Sequence, residues 1–485
     1  MKKIKKLQGV FLLSLNLMNF LFSGCIFENP KESGEIEKQV EKKQWTFLVY
    51  MAADNNLESS AIKDFNEMEE SGFDEDKINV LVLLDRAEGN DASNGDWSDT
   101  RLFELKNDRI APGLTISSLR LDCPELSLSC NSQTELDMAD KETVSLFVEF
   151  ALKNYPAEKN AFIVWGHGSG WRGENYNGSY GYKYFAADDY SGNSISLTDL
   201  AGGLEKGLAK VQNENPEKKA KFDFIGFDTC FGLTFETALQ MENVAYLAGG
   251  TPALEDGDGW NYGFLGEFCR SDLSVSSLAE ILARQFSSQY SSYQYGCFSV
   301  VDTAKTSELT ELFSDYCFSA AALIKTSVVQ NALRNCLETE VLCYDPGVYP
   351  CDVYIDVWSF VKNTCQCLEQ LKNAGCFSNF LTDEGKEIEM FFAELSEKSE
   401  KIFELMEETF VAVGRTNAEK SSPFPFGVFY GNFTGENVPS LNHPSGYVQD
   451  SKVSGKCRFV ENCPGYVPGK DSMSFLEKIF YEVLE

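Results

Sequence analysis

Apolar residues gather in short uninterrupted runs, and between the runs they recur at helical spacing. Thr46–Met51 in WTFLVYMAADNNLE, Ile78–Asp85 in INVLVLLD, Ala161–Trp165 in AFIVWGHGSGW and Phe222–Phe227 in KFDFIGFDTCFG each read as a strand buried on both faces. VAYLAGG after Met241 and CFSVVD at Cys297–Asp302 extend the series. Helical patterns fill the intervals at Leu57–Met68, Asp137–Leu152 and Leu197–Val211, and again through Leu233, Phe235, Leu239 and Met241. Strands without a polar face, alternating with amphipathic helices, predict a doubly wound α/β domain over residues 45–302 with a mostly parallel sheet. Residues 303–485 read as a mostly helical part packed on the same domain, with a late strand near 424–430. In it, KEIEMFFAELSEKSEKIFELMEETFVAVG has the striping of one surface helix.

The amino terminus follows a different pattern. Four lysines precede an apolar run from Val10 to Phe22, broken by Asn16 and Asn19, which is short and polar-spotted for a spanning helix and reads as an export signal over residues 1–24. Ser23-Gly24-Cys25 resembles a bacterial lipoprotein processing site, which makes Cys25 the lipid-bearing residue and the cell envelope the destination; an ordinary secretory signal is the alternative. Residues 25–44 are charged and poor in large apolar side chains, as a tether is. Removing the four lysines of residues 1–24 takes the formal charge from −32 to −36. Such a surface excludes nucleic acid as a partner and favours cationic substrates.

Two residues carry the candidate chemistry. Cys230 falls where the Phe222–Phe227 strand gives way to a helical pattern, a position where backbone N–H groups favour thiolate; the competing reading is one buried apolar cysteine among 15. A thiolate nucleophile needs a base, and of the two histidines His443 lies in the loop-like SLNHPSGY while His167 ends the Ala161–Trp165 strand. Groups that close neighbouring parallel strands share one crevice, so Cys230 and His167 are expected to meet. GHGSG is not the G-x-S-x-G nucleophile elbow of serine hydrolases, because position 167 is His where that pattern needs Gly.

WTFLVYMAADNNLE, FIVWGHGSGW, DYSGNSISLTDL, FIGFDTCFGLTFETALQ and EDGDGWNY, in this order, resemble blocks of the clostripain-like cysteine peptidases, relatives of caspases, legumains and gingipains. The resemblance is clear from Trp45 to Trp260 and continues more weakly through YIDVWSFVKN and PFPFGVFYGNF. It implies a caspase-like three-layer α/β/α sandwich with a helical C-terminal extension, and a Cys230/His167 dyad that cleaves proteins or peptides after Arg or Lys. The N–H groups of Gly168 and Cys230 would form the oxyanion site, and Asp228 would hold the substrate's cationic side chain; a helix-capping role is the other reading of Asp228. Self-cleavage between the histidine and cysteine strands is expected at Lys183, with Lys218 and Lys219 as alternatives. Two departures from the family pattern stand out. Pro252 and Ala253 occupy places where polar or acidic residues are common, and Gly232 comes one position early. A surface binding lipoprotein with a degenerate site, or a ligase-type relative, is the second functional class.

Apart from Cys25 and Cys230, thirteen cysteines remain, and Cys123/Cys130, Cys457/Cys463 and the group from Cys336 to Cys376 read as disulfides in an exported protein. Zinc is not expected in that group, which has no paired Cys-x-x-Cys knuckles and no nearby histidine. The sequence implies no metal and no cofactor, and it offers no support for calcium.

Overall fold

In a computed structural model of the chain, residues 42–429 are described apart from 109–112, 171–184, 292–295, 322, 324–325, 345–353, 378–387 and 417–421. The export signal, Cys25 and Lys183 lie outside the described residues.

β1 (Lys43–Ala53) leads through α1 (Glu58–Glu70) to β2 (Ile78–Arg86), which lies parallel beside it. β3 (Arg101–Glu104) and β4 (Leu119–Arg120) add antiparallel strands beyond β2. After α2 (Lys141–Asn154), β5 (Ala157–Trp165) pairs in parallel with the other side of β1. A hairpin of β6 (Phe185–Asp188) and β7 (Asn193–Ile195) and then α3 (Leu197–Glu214) lead to β8 (Phe222–Asp228), parallel to β5. The short α4 (Phe235–Gln240) precedes β9 (Ala245–Gly250), again parallel. α5 (Phe264–Phe268) and α6 (Val275–Gln289) come before β10 (Cys297–Asp302), which runs antiparallel to β9. The rest comprises α7 (Thr303–Ala321), α8 (Ser327–Thr339), β11 (Cys343–Tyr344), β12 (Tyr354–Asp356), α9 (Val357–Asn373), α10 (Ile388–Thr409), β13 (Phe410–Arg415) and β14 (Gly427–Phe429). The main sheet has nine strands in the order β13-β10-β9-β8-β5-β1-β2-β3-β4, so its five central strands are parallel and both margins antiparallel.

The sandwich follows from the two-residue repeat of the strands. In β1, Phe47, Val49 and Met51 face a core shared with α1, α5 and α6, whereas Leu48, Tyr50 and Ala52 face a second core shared with α2, α3, α4 and α7. Both faces of each central strand are thereby covered, as the unbroken apolar runs require.

Three expectations need correction. α2 begins at Lys141 rather than Asp137, because Asp140 is extended and its carboxylate accepts the N–H of Glu142 as an N-cap. The long helix expected through Gly414 ends at Thr409, and Phe410–Arg415 instead joins the main sheet beside β10. Its FVAV run, aromatic and β-branched, suits a pleated surface better than a helix. The thiols of Cys123, Cys130, Cys336, Cys365, Cys367 and Cys376 are free rather than bridged. Cys123 is buried in the apolar core, whereas exposed Cys130 turns away to donate to the Arg120 carbonyl. Cys351, Cys457 and Cys463 lie outside the described residues.

Candidate active site

The register of two parallel strands sets the site. Trp165 of β5 is the partner of Asp228 in β8, and His167 and Cys230 each come two residues later. The Gly166 N–H donates to the Asp228 carbonyl at 3.3 Å, so the two exits leave the sheet side by side. Glycine makes the close approach feasible at two points. Gly166 has φ +141°, with the Ala52 carbonyl 3.0 Å from where a Cβ would stand. A Cβ on Gly168 would lie 2.5 Å from the Cys230 carbonyl and 2.6 Å from the Thr229 side chain. His167, Cys230, Asp228 and Glu255 line one cleft of about 310 Å³ between these loops and residues 254–259.

His167 Nε2 lies 2.7 Å from Asn56 Oδ1. A neutral imidazole that donates from Nε2 to the amide oxygen has Nδ1 bare and able to accept a proton. Burial holds the imidazole below its ordinary pKa, more strongly than Asp189 raises it, which keeps the ring neutral at neutral pH. Asn56 is itself fixed by its neighbour: Asn55 Nδ2 donates to the carbonyls of Ala52 and Ala187, both at 3.0 Å.

The Cys230 thiol is in contact with the Glu255 backbone, accepting its N–H at 3.3 Å and donating to its carbonyl at 3.4 Å. Cys230 does not sit at the amino end of the following helix, contrary to the sequence expectation. α4 starts at Phe235 behind the Thr234 N-cap, and a turn separates it from the thiol. Within that turn Phe231 adopts φ +50°, a left-handed conformation that costs an L-residue about 1–2 kcal/mol. Stacking on Tyr354 at 5.1 Å and an N–H donated to the Ala253 carbonyl at 2.8 Å hold it there.

The floor of the cleft is acidic. Asp228 is buried, and its oxygens accept the Trp260 N–H at 3.1 Å and the Tyr262 hydroxyl at 2.8 Å. Burial pushes its carboxyl up to about 7 despite both hydrogen bonds. Asp64 and Glu255 stand beside it, each raised well above the usual range first by burial and then by the charge of Asp228. Trp165 Nε1 donates to one Asp64 oxygen at 2.7 Å; the other Asp64 oxygen and both Glu255 oxygens are buried without a hydrogen-bond donor among the described residues. Gly259 closes the floor at φ +56°, where a Cβ would come within 3.0 Å of Asp228 and 3.1 Å of Asp64.

Cys230, His167, Gly168 and Asp228 thus converge, whereas Asn56, Asp64 and Glu255 were absent from the sequence reading. Asp64 left a trace: it shares the buried face of α1 with Ala61, Ile62, Phe65 and Met68, an odd place for a carboxylate. Pro252 and Ala253, which depart from the family pattern, do not line the cleft; the wall is made by Leu254, Glu255 and Asp256. Ala253 packs in the core, and its carbonyl holds the cysteine turn.

Comparison with known proteins gives three findings. The sequence profile described as the Clostripain family matches residues 49–413. Clostripain of Hathewaya histolytica is 27% identical over 256 residues, a match covering 49% of this chain and 45% of that protein, so the chain spans about half the length of the curated relative it matches. A secreted cysteine protease from Bacteroides thetaiotaomicron, solved with an irreversible peptide inhibitor, shares the fold with a TM-score of 0.53 at 19% identity, over 86% of this chain and 99% of that one.

Proposed function

Because the chain belongs to the clostripain family, we propose that it is an exported cysteine endopeptidase that cleaves after basic residues. The observation that carries this reading is the shared cleft, lined by a thiol, a neutral imidazole and the acidic side chains of Asp228 and Glu255, with Asp64 behind Asp228. Cys230 is the nucleophile and His167 Nδ1 its base. The thiolate attacks the scissile carbonyl, and the proton held by His167 then passes to the leaving amine. Water cleaves the resulting acyl-enzyme with His167 again as base. The N–H groups of Gly168 and Cys230 receive the oxyanion, each donor contributing about 2.7–4 kcal/mol to the transition state. Asp228, backed by Asp64 and Glu255, holds the cationic side chain of the residue before the scissile bond. A guanidinium or ammonium there meets carboxylates already desolvated, so it relieves their mutual repulsion as well as forming hydrogen bonds.

The Glu255 backbone occupies the thiol's hydrogen-bonding positions, so residues 254–256 must shift before a peptide can enter. This supports a precursor that becomes competent by self-cleavage, at Lys183 in the interval between the two strands. Cys25 carries the lipid that holds the enzyme at the bacterial cell envelope, and residues 26–44 space the catalytic domain from the membrane; incorporation of an alkynyl fatty acid in wild type and its loss in Cys25→Ala test this part. The central test is incubation with a peptide library, wild type against Cys230→Ala, with cut sites read by mass spectrometry. Cuts after Arg and Lys by the wild type alone support the proposal. Cuts by both proteins, or none by either after the chain has been nicked at Lys183, overturn it.

A further inference from the structure

YIDVWSFVKN stands out in the sequence, yet none of its residues lines the cleft. Its first residue, Tyr354, opens β12, the middle strand of a small sheet in the order β11-β12-β14. Tyr354 pairs with Tyr344 on one side and with Phe429 on the other. Two residues on, fully buried Asp356 accepts the Tyr344 hydroxyl at 2.8 Å and, as the N-cap of α9, the Ser359 N–H at 2.7 Å. Gly427 of β14 forms a parallel bridge with Thr234, the N-cap of α4. The small sheet is thereby pinned against the helix that follows the cysteine turn.

From this support Tyr354 reaches both catalytic loops. Its ring stacks on Phe231, next to Cys230, with centroids 5.1 Å apart and planes 26° from parallel. Its hydroxyl donates at 3.0 Å to the carbonyl of Ser169, two residues after His167 and 185 positions away in sequence. Both aromatic side chains are buried. Ring and hydroxyl belong to one planar body, so neither contact can shift without the other, and the two loops are held one tyrosine apart. Gly170, the last residue of GHGSG, admits the hydroxyl: its φ is +80°, and a Cβ there would collide with the Tyr354 oxygen and stand 2.6 Å from Cζ. Phe231 at φ +50° is in a conformation that persists only where its surroundings impose it, and the stacked ring is one of those constraints.

We propose that Tyr354 is a positioning residue that fixes the separation and relative orientation of the Cys230 thiol and the His167 imidazole. Its ring seats the cysteine turn and its hydroxyl seats the histidine loop. The proposal rests on the reading of these two groups as nucleophile and base. Cys230 and His167 both stand in turns beyond their strands, where strand pairing no longer holds them, and a reacting pair tolerates little misplacement.

Full-length wild type, Tyr354→Phe, Gly170→Ala and the double variant are compared in three measurements. These are the melting temperature, kcat and KM on an Arg peptide, and the rate at which iodoacetamide alkylates Cys230 from about pH 5 to pH 9, followed on the Cys230 peptide by mass spectrometry. Tyr354→Phe keeps the ring and removes only the hydroxyl. It is expected to melt close to wild type and to lower kcat roughly tenfold, with KM nearly unchanged. The alkylation midpoint, held down in wild type by the imidazole, should move up toward the ordinary thiol value of about 8.5. Gly170→Ala breaks the same contact from the other side and should reproduce both changes. The double variant should then lose roughly tenfold in kcat rather than the roughly hundredfold of independent effects. Tyr354→Leu, which also loses the stacking, should fall further, by roughly 10²-fold. A wild-type kcat and alkylation profile in Tyr354→Phe overturns the proposal, as does a lowered melting temperature with kinetics intact, the mark of a purely structural residue. Alkylation needs no peptide turnover, so a wild type that cleaves nothing overturns the peptidase reading, whereas a profile unmoved by Tyr354→Phe overturns this one.

Discussion

Asn56 touches no substrate in the proposed mechanism; it positions His167 through one hydrogen bond. Asn56→Ala is expected to lower kcat by roughly 10²-fold, the cost of a small misplacement of a reacting group, with KM nearly unchanged. Asn56→Asp should raise the pKa of His167 and move the acid limb of kcat upward, a change that a merely structural residue would not produce. Asp228 predicts a separate pH dependence in KM. Its carboxyl, held up to about 7, is charged above that pH and neutral below it. KM for an Arg peptide should therefore rise as pH falls through about 7, and Asp228→Asn should abolish this limb and cost about 2–5 kcal/mol in kcat/KM. At this scale the sequence disclosed what sits in a strand-exit motif, namely Cys230, His167 and Asp228. It withheld Asn56, Asp64 and Glu255: Asn56 lies 111 residues from His167 and Asp64 lies 101 from Trp165, while Glu255 meets Cys230 from a loop 25 residues on. Steady-state kinetics from about pH 5 to pH 9 check all three substitutions.

Elements were legible where burial was uniform. β1, β2, β5 and β8 carry apolar residues on both faces, and each was readable as a strand; direction was not, so the antiparallel turn of β10 against β9 came only from the structure. β13 was hidden because Phe410 and Val413 continue the apolar spacing of α10, so strand pairing at the sheet margin overrode local periodicity. Its position depends on Gly414, where a Cβ would fall within 1.9 Å of the Ala283 carbonyl in α6. Gly414→Ala must push helix and strand apart and is expected to cost about 1–3 kcal/mol, read as a lower urea midpoint with the slope unchanged.

The molecule as a whole combines a formal charge of −32 with buried carboxyls held above their ordinary pKa values. Asp228 at about 7 and Asp356 at about 6 are joined by Asp64 and Glu255, both raised well above their ordinary values by burial. The folded state binds these protons more tightly than the unfolded chain, where the same groups ionise near pH 4. Their stabilising contribution is therefore present at low pH and lost as pH rises through about 6–7. The melting temperature should be higher near pH 5.5 than near pH 8, and Asp228→Asn should reduce the difference; scanning calorimetry decides.

β5 lies between β1 and β8, with the proposed cut at Lys183 between β5 and β8 in the sequence. The amino-terminal product would then retain β1 to β5 and the carboxyl-terminal product β8 to β10, and the boundary between them would run down the middle of a continuous hydrogen-bonded ladder. Such halves are not expected to separate on nicking. They should travel as a single species in gel filtration and part only under denaturing electrophoresis, with histidine on one polypeptide and cysteine on the other.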